Sequence, residues 1–204
     1  MPIELSTDTP PALVPLIWLV GSWAGVGVVG YPTMDDVQFG QEIEFSHDGR
    51  PFLSYRSRTW LLDADGKPGR PLSTETGFWR PAAVASSGTG SADPADPADP
   101  AASGSPGPGA DGELAEIPLP GTALEVLLAH PTGIVEIYLG TVDGPRVTLA
   151  TDLVARTQTA KEYTSATRLY GLVEGDLLWA MDMSAVGQPL QSHASARLKR
   201  VPSA

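Results

Sequence analysis

The amino-acid sequence predicts an all-β fold. It reads as a single antiparallel up-and-down β-barrel of about ten strands over residues 1–204, with a short N-terminal helical turn and a disordered insertion at 83–112. Three observations carry this. Apolar and polar residues alternate in short runs rich in Val, Ile, Thr, Tyr and Trp. Clusters of Gly, Pro and Asp punctuate those runs at roughly eight-to-twelve-residue intervals. Only "PALVPLIWLV" has the character of a helical turn.

In chain order, "PALVPLIWLV" gives that turn, and "GSWAGVGVVGYPT" follows as the first strand. Its glycines at 21, 25, 27 and 30 mark a bend or a close approach of backbone, since glycine otherwise weakens a strand. A curved strand closing a barrel fits them, with Trp23 plugging one end and Tyr31, Pro32 and Thr33 delivered to the mouth. "QEIEFSHDGRPFLSYRSRTWLL" is a hairpin turning at Asp48-Gly49, and "DADGKPGRP" turns into the strand "LSTETGFWR". "ALEVLLAHPTGIVEIYLGTVDGPRVTLATDLVART" has turns at "HPTG" and "VDGP". "EYTSATRLYGLVEGDLLWAMDMSAVGQPLQSHASARLKRV" adds strands split at "VEGD" and "AVGQP". Between the halves, "AVASSGTGSADPADPADPAASGSPGPGADG" is dense in Pro, Gly, Ser and Asp, with too few large apolar side chains to offset its ordering entropy. It reads as a disordered surface loop, with a partner-binding segment as the alternative.

Composition narrows the functional classes. Acidic residues number 24 against 13 basic ones, a formal net charge of −11. Binding to nucleic acid or to an anionic membrane would need the opposite sign. The chain has no cysteine, which removes disulfides, thiolate metal sites, thiol nucleophiles and covalent haem attachment. Its N-terminal region lacks a basic leader, and the run "ALVPLIWLV" is too short to span a bilayer. A cytoplasmic protein is the expectation. No dinucleotide or phosphate loop, zinc-protease helix or serine elbow is found, and "GVGVVG" opens no helix.

Of the three histidines, His47 and His130 stand beside turn residues, in "SHDG" and "HPTG". His193 stands inside a strand. Strict alternation puts it with Gln191, Ser195, Arg197 and Lys199 on a polar, outward face, opposite Ala194, Ala196 and Leu198. An inert surface histidine is one reading. The other is a ligand, because a barrel that holds a small molecule can be partly polar inside and the small neighbours of His193 leave room for a flat group. Periodicity does not choose between them.

The motifs in register do. "GSWAGVG" has a G-x-W-x-G-x-G pattern and, with "YPT", "GRPFLSYRSRTW", "PLSTETGFWRP", "HPTGIVEIYLG", "ARTQTAKEY" and "LLWAMDMSAVGQPLQSHASARLKRV", resembles the nitrobindin family of haem-binding barrels, whose architecture is like that of lipocalins and fatty-acid-binding proteins. The resemblance implies a haem b cofactor with His193 as the iron ligand, Thr33 against the haem and Lys161 neutralising a propionate. It also implies isomerisation of peroxynitrite to nitrate at ferric haem, binding of nitric oxide, and a homodimer. Ser73 replaces a histidine that many relatives carry on the distal side, so the open face of the haem is expected to lack an imidazole. Two other functions fit the same barrel: a carrier of a fatty acid or other small apolar ligand, and a non-catalytic haem-based nitric oxide sensor.

Overall fold

The computed structural model describes residues 9–82 and 121–202; the insertion read at 83–112 lies outside them. Ten strands follow one another: β1 (Gly21–Tyr31), β2 (Met34–Ser46), β3 (Leu53–Leu62), β4 (Pro68–Pro81), β5 (Thr122–His130), β6 (Ile134–Asp143), β7 (Arg146–Arg156), β8 (Tyr163–Val173), β9 (Asp176–Ala185) and β10 (Gln191–Val201). Each pairs antiparallel with the next, and β1 pairs with β10, so the sheet closes. The fold class is the one the alternation and turn spacing predict. Closure leaves no unpaired edge.

The seam between β1 and β10 explains the glycines of the opening motif. A Cβ at Gly25 would collide with the Arg197 carbonyl, and one at Gly27 with the Ser195 carbonyl and the Phe39 ring. Only glycine lets β10 come this close across the inner face. Trp23, on the same face, is fully buried. Its indole N–H donates to Leu19 O at 2.8 Å, and the Arg200 guanidinium lies 4.1 Å from its ring centre. Leu19 belongs to a 3-10 helix, Pro11–Leu19, whose Leu13, Leu16, Trp18 and Leu19 are buried. Helix and Trp23 together stopper one end of the barrel.

The interior above that stopper is packed. Trp79 meets Phe45 edge-on at 5.2 Å and Tyr170 at 5.1 Å, and Tyr170 stacks on Trp179 at 6.3 Å. Burial of such rings supplies most of the driving force for closure, about 1.5–3 kcal/mol for each large side chain. Among the described residues no helix is long and apolar enough to cross a membrane. The hairpins β1–β2, β3–β4, β5–β6, β7–β8 and β9–β10 gather at the other end, and there the packing opens.

Candidate functional site

That open end holds a cleft of about 310 Å³, within the range of small-molecule sites. Thr33, Ser73, His130, Lys161 and His193 line it, with Tyr31, Glu136, Tyr163 and an apolar wall of Ile134, Met181 and Met183. The structure thus brings together all three residues singled out in the sequence. Thr33 sits in the β1–β2 turn, Lys161 in the β7–β8 connection, and both are exposed at the rim. A larger concavity, about 800 Å³, lies on the outer wall over β1, β10, β9 and β8. It is floored by outward-facing Val26, Val28 and Leu169 and holds no histidine.

His193 does not follow the alternation, and the reason is a β-bulge. In the β10–β9 ladder Ser192 faces Asp182 and Ala194 faces Met181, leaving His193 without a partner. The extra residue resets the phase. Ala194, Ala196 and Leu198 stay buried and Ser195 and Arg197 exposed, but His193 joins the inner set, half-buried in the cleft. The expected outward orientation is corrected by this one irregularity.

The imidazole is held on two sides. Its Nδ1 lies 2.9 Å from Gly30 O, where the N–H donates to the carbonyl. The Tyr31 ring meets it edge-on at 5.5 Å. Tyr31 is itself pinned, its hydroxyl donating to the Met183 and Ala185 carbonyls and accepting from the Ala185 N–H. Burial pushes the His193 pKa below its ordinary value; the Gly30 bond opposes this and the Arg168 charge adds to it. The ring is therefore neutral at neutral pH. With Nδ1 carrying the proton, Nε2 presents a lone pair and has no hydrogen bond among the described residues. A metal-ligating histidine is neutral and usually donates its other ring N–H to a carbonyl or carboxylate, as His193 does here.

Comparison with known proteins places the chain. Residues 12–200 match the family model of the "THAP4-like, heme-binding beta-barrel domain". The chain belongs to this haem-binding β-barrel family. A ferric nitrobindin-like protein of Kineococcus radiotolerans is 52% identical, over 98% of this chain and 99% of its own length. A peroxynitrite isomerase of Leifsonia xyli subsp. xyli is 47% identical, over 97% and 98%. The crystal structure of Rv2717c from M. tuberculosis superposes with a TM-score of 0.68 at 35% identity, covering 96% of this chain and 100% of that one. The nitrobindin resemblance read from the motifs is this relationship.

Haem is the cofactor of the family, and the residues of the cleft fit it. Neutral His193 offers a free Nε2 to iron, the Met and Ile walls suit a macrocycle, and Lys161 supplies a cation at the rim. With no cysteine in the chain, a non-covalent b-type haem is the matching form. Among the described residues no group of three or more His, Asp or Glu is placed to hold a bare metal ion.

Ser73 lines the cleft as the resemblance implies, and a second imidazole, His130, lines it too. Behind His130 lies a buried polar network that the sequence reading missed. Arg168 grips Glu75 with both terminal nitrogens, at 2.9 and 3.0 Å, and reaches Glu136 at 3.4 Å. Tyr138 and Tyr163 donate to Glu136, and Tyr55 donates to Glu75. A faint signal existed: in "GIVEIY" and "SATRLY", Glu136 and Arg168 fall in phase with the buried Tyr138 and Tyr170.

Proposed function

We propose that the protein is a haem b protein of the cytoplasm that isomerises peroxynitrite to nitrate and binds nitric oxide, with His193 as the iron ligand. The observation that carries this is the His193 ring: bulged into the cleft, neutral, its Nδ1–H spent on Gly30 O and its Nε2 free. Relatives across nearly the full length bear the name peroxynitrite isomerase, which supports the reaction. Bound haem supplies an electrophilic ferric centre for peroxynitrite and, when reduced, a site for nitric oxide.

The chain's own residues supply the rest. Gly30 O orients the imidazole and keeps its proton on Nδ1. Lys161 at the rim would neutralise a propionate and Thr33, also at the rim, would close against the bound haem. Ile134, Met181 and Met183 keep water from the inner side of the cleft. A homodimer completes the reading, as the resemblance implies. The carrier alternative is weakened by the aromatic side chains that pack the interior among the described residues.

Hemin titration followed by its absorption spectrum tests the ligand. Wild type is expected to show a histidine-ligated ferric spectrum and to speed peroxynitrite decay in stopped flow, and His193→Ala to lose both. Identical spectra for the two proteins would rule out ligation by His193.

A further inference from the structure

The function above employs one imidazole of the two in the cleft. His130 ends β5, and in the closed ten-strand order β5 lies five strands from β10 in either direction. The two histidines therefore stand on opposite walls at the same end, with the cleft between them. Only 13% of the His130 side chain is exposed. Its Nε2 lies 2.7 Å from Glu136 Oε2.

The chemistry of that contact fixes which nitrogen carries the shared proton. Burial acts to raise the Glu136 pKa, but the bond from His130, the charge of Arg168 and the hydroxyls of Tyr138 and Tyr163 outweigh it and hold the carboxyl at about 2. Glu136 is thus ionised, and an ionised carboxylate only accepts hydrogen bonds. The proton between the two groups sits on Nε2; in the neutral ring the lone pair is then on Nδ1, an atom with no hydrogen bond among the described residues. Arg168 steadies Glu136 from behind and is itself clamped by Glu75. An imidazole oriented by a carboxylate on one nitrogen, with the other nitrogen available at a cavity wall, is built to take up a proton.

We propose that His130 is the proton acceptor for weak-acid ligands that enter this cleft, peroxynitrous acid among them; the proposal rests on the haem reading of the same cleft. The step balances. The ligand's O–H or C–H bond breaks, its proton passes to Nδ1, and the electron pair stays on the ligand as an anion. The imidazolium then carries a proton on each nitrogen, Nε2–H on Glu136 and Nδ1–H toward the anion. Its positive charge is met by the Glu136 carboxylate already in contact. Lys161 and Glu162 at the rim are the other charged side chains of the cleft besides Glu136.

Hydrogen cyanide is the probe, a weak acid that binds ferric haem as its anion. Its association rate with hemin-loaded wild type, His130→Ala and His130→Gln is read from the Soret band. Nitric oxide binding to the ferrous forms serves as a proton-free control. Both variants are expected to bind cyanide roughly a hundredfold more slowly, with nitric oxide rates unchanged. Equal cyanide rates in variants that still show the histidine-ligated spectrum overturn the proposal. So does an equal slowing of nitric oxide, which marks blocked access instead. Should both variants fail to fold, cyanide association by wild type in heavy water replaces them, and the absence of an isotope effect overturns the proposal. Failure of wild type to take up hemin is a separate outcome, read before cyanide is added, and removes the haem reading itself.

Discussion

Glu136→Gln tests the buried network most directly. The Glu136 side chain is 0% exposed and touches Arg168, His130, Tyr138 and Tyr163. Glutamine keeps the shape but not the charge, leaving Arg168 with Glu75 alone. Two routes give the cost. Removing one partner of a buried ion pair typically costs about 3–5 kcal/mol. Independently, a carboxyl held at about 2 against an ordinary 4.5 contributes about 3 kcal/mol, at about 1.4 kcal/mol per tenfold in proton affinity. The sign follows from the depressed value. The contribution is fully present above the unfolded-state value of 4.5 and is lost as pH falls from there toward about 2. Urea unfolding followed by tryptophan fluorescence should place Glu136→Gln about 3 kcal/mol below wild type near neutral pH, or about 6–12 °C lower in Tm for a chain of this size. Near pH 3 the gap should shrink to about 1.4 kcal/mol, because wild type then loses most of what the variant never had. A neutral-pH difference under about 1 kcal/mol, or one that stays constant on acidification, would refute the reasoning.

Two other perturbations probe the two ends of the barrel. Trp23→Ala removes the plug, its bond to Leu19 and the Arg200 contact, and is expected to cost about 3–5 kcal/mol in chemical denaturation; hemin uptake at the far end should survive. Because burial depresses the His193 pKa, protons compete with iron for Nε2 only below the ordinary imidazole value of 6.5. Hemin release during an acid titration should accordingly begin below that pH, and release centred at or above it would contradict the neutral, buried ring.

The strands were legible because alternation and turn chemistry are local. Gly49, Gly133, Gly144, Gly175 and Gly187 all take positive φ at the turns where "HDG", "PTG", "VDG", "VEG" and "AVG" announce them. The closing glycines were legible for a similar reason: Gly25 and Gly27 are small where another strand must pass. His193 was not readable from period. A bulge is a mismatch between two strands, and the missing ladder partner on β9 leaves no trace in β10 itself. His130 was hidden differently. "HPTG" reads as a turn, and its partner Glu136 sits between Val135 and Ile137, which face outward from the barrel. An apolar outer wall, with Phe78, Leu127 and Leu139 exposed, blurs the contrast that would have marked Glu136 and Arg168 as interior polar residues. The family motifs located the cleft's rim, whereas the charge relay behind it emerges only when β4, β6 and β8 are assembled.

The packed aromatic column has a consequence for the life of the cofactor. Since the barrel fills its own middle and is stoppered at the Trp23 end, its core packing does not include the cleft where a porphyrin would sit. The polypeptide is expected to fold first and take up haem later, through the open rim, and to keep its shape when hemin is removed. With His193 as the proposed ligand, hemin exchange is expected to be limited by the loss of one axial bond rather than by the opening of the barrel.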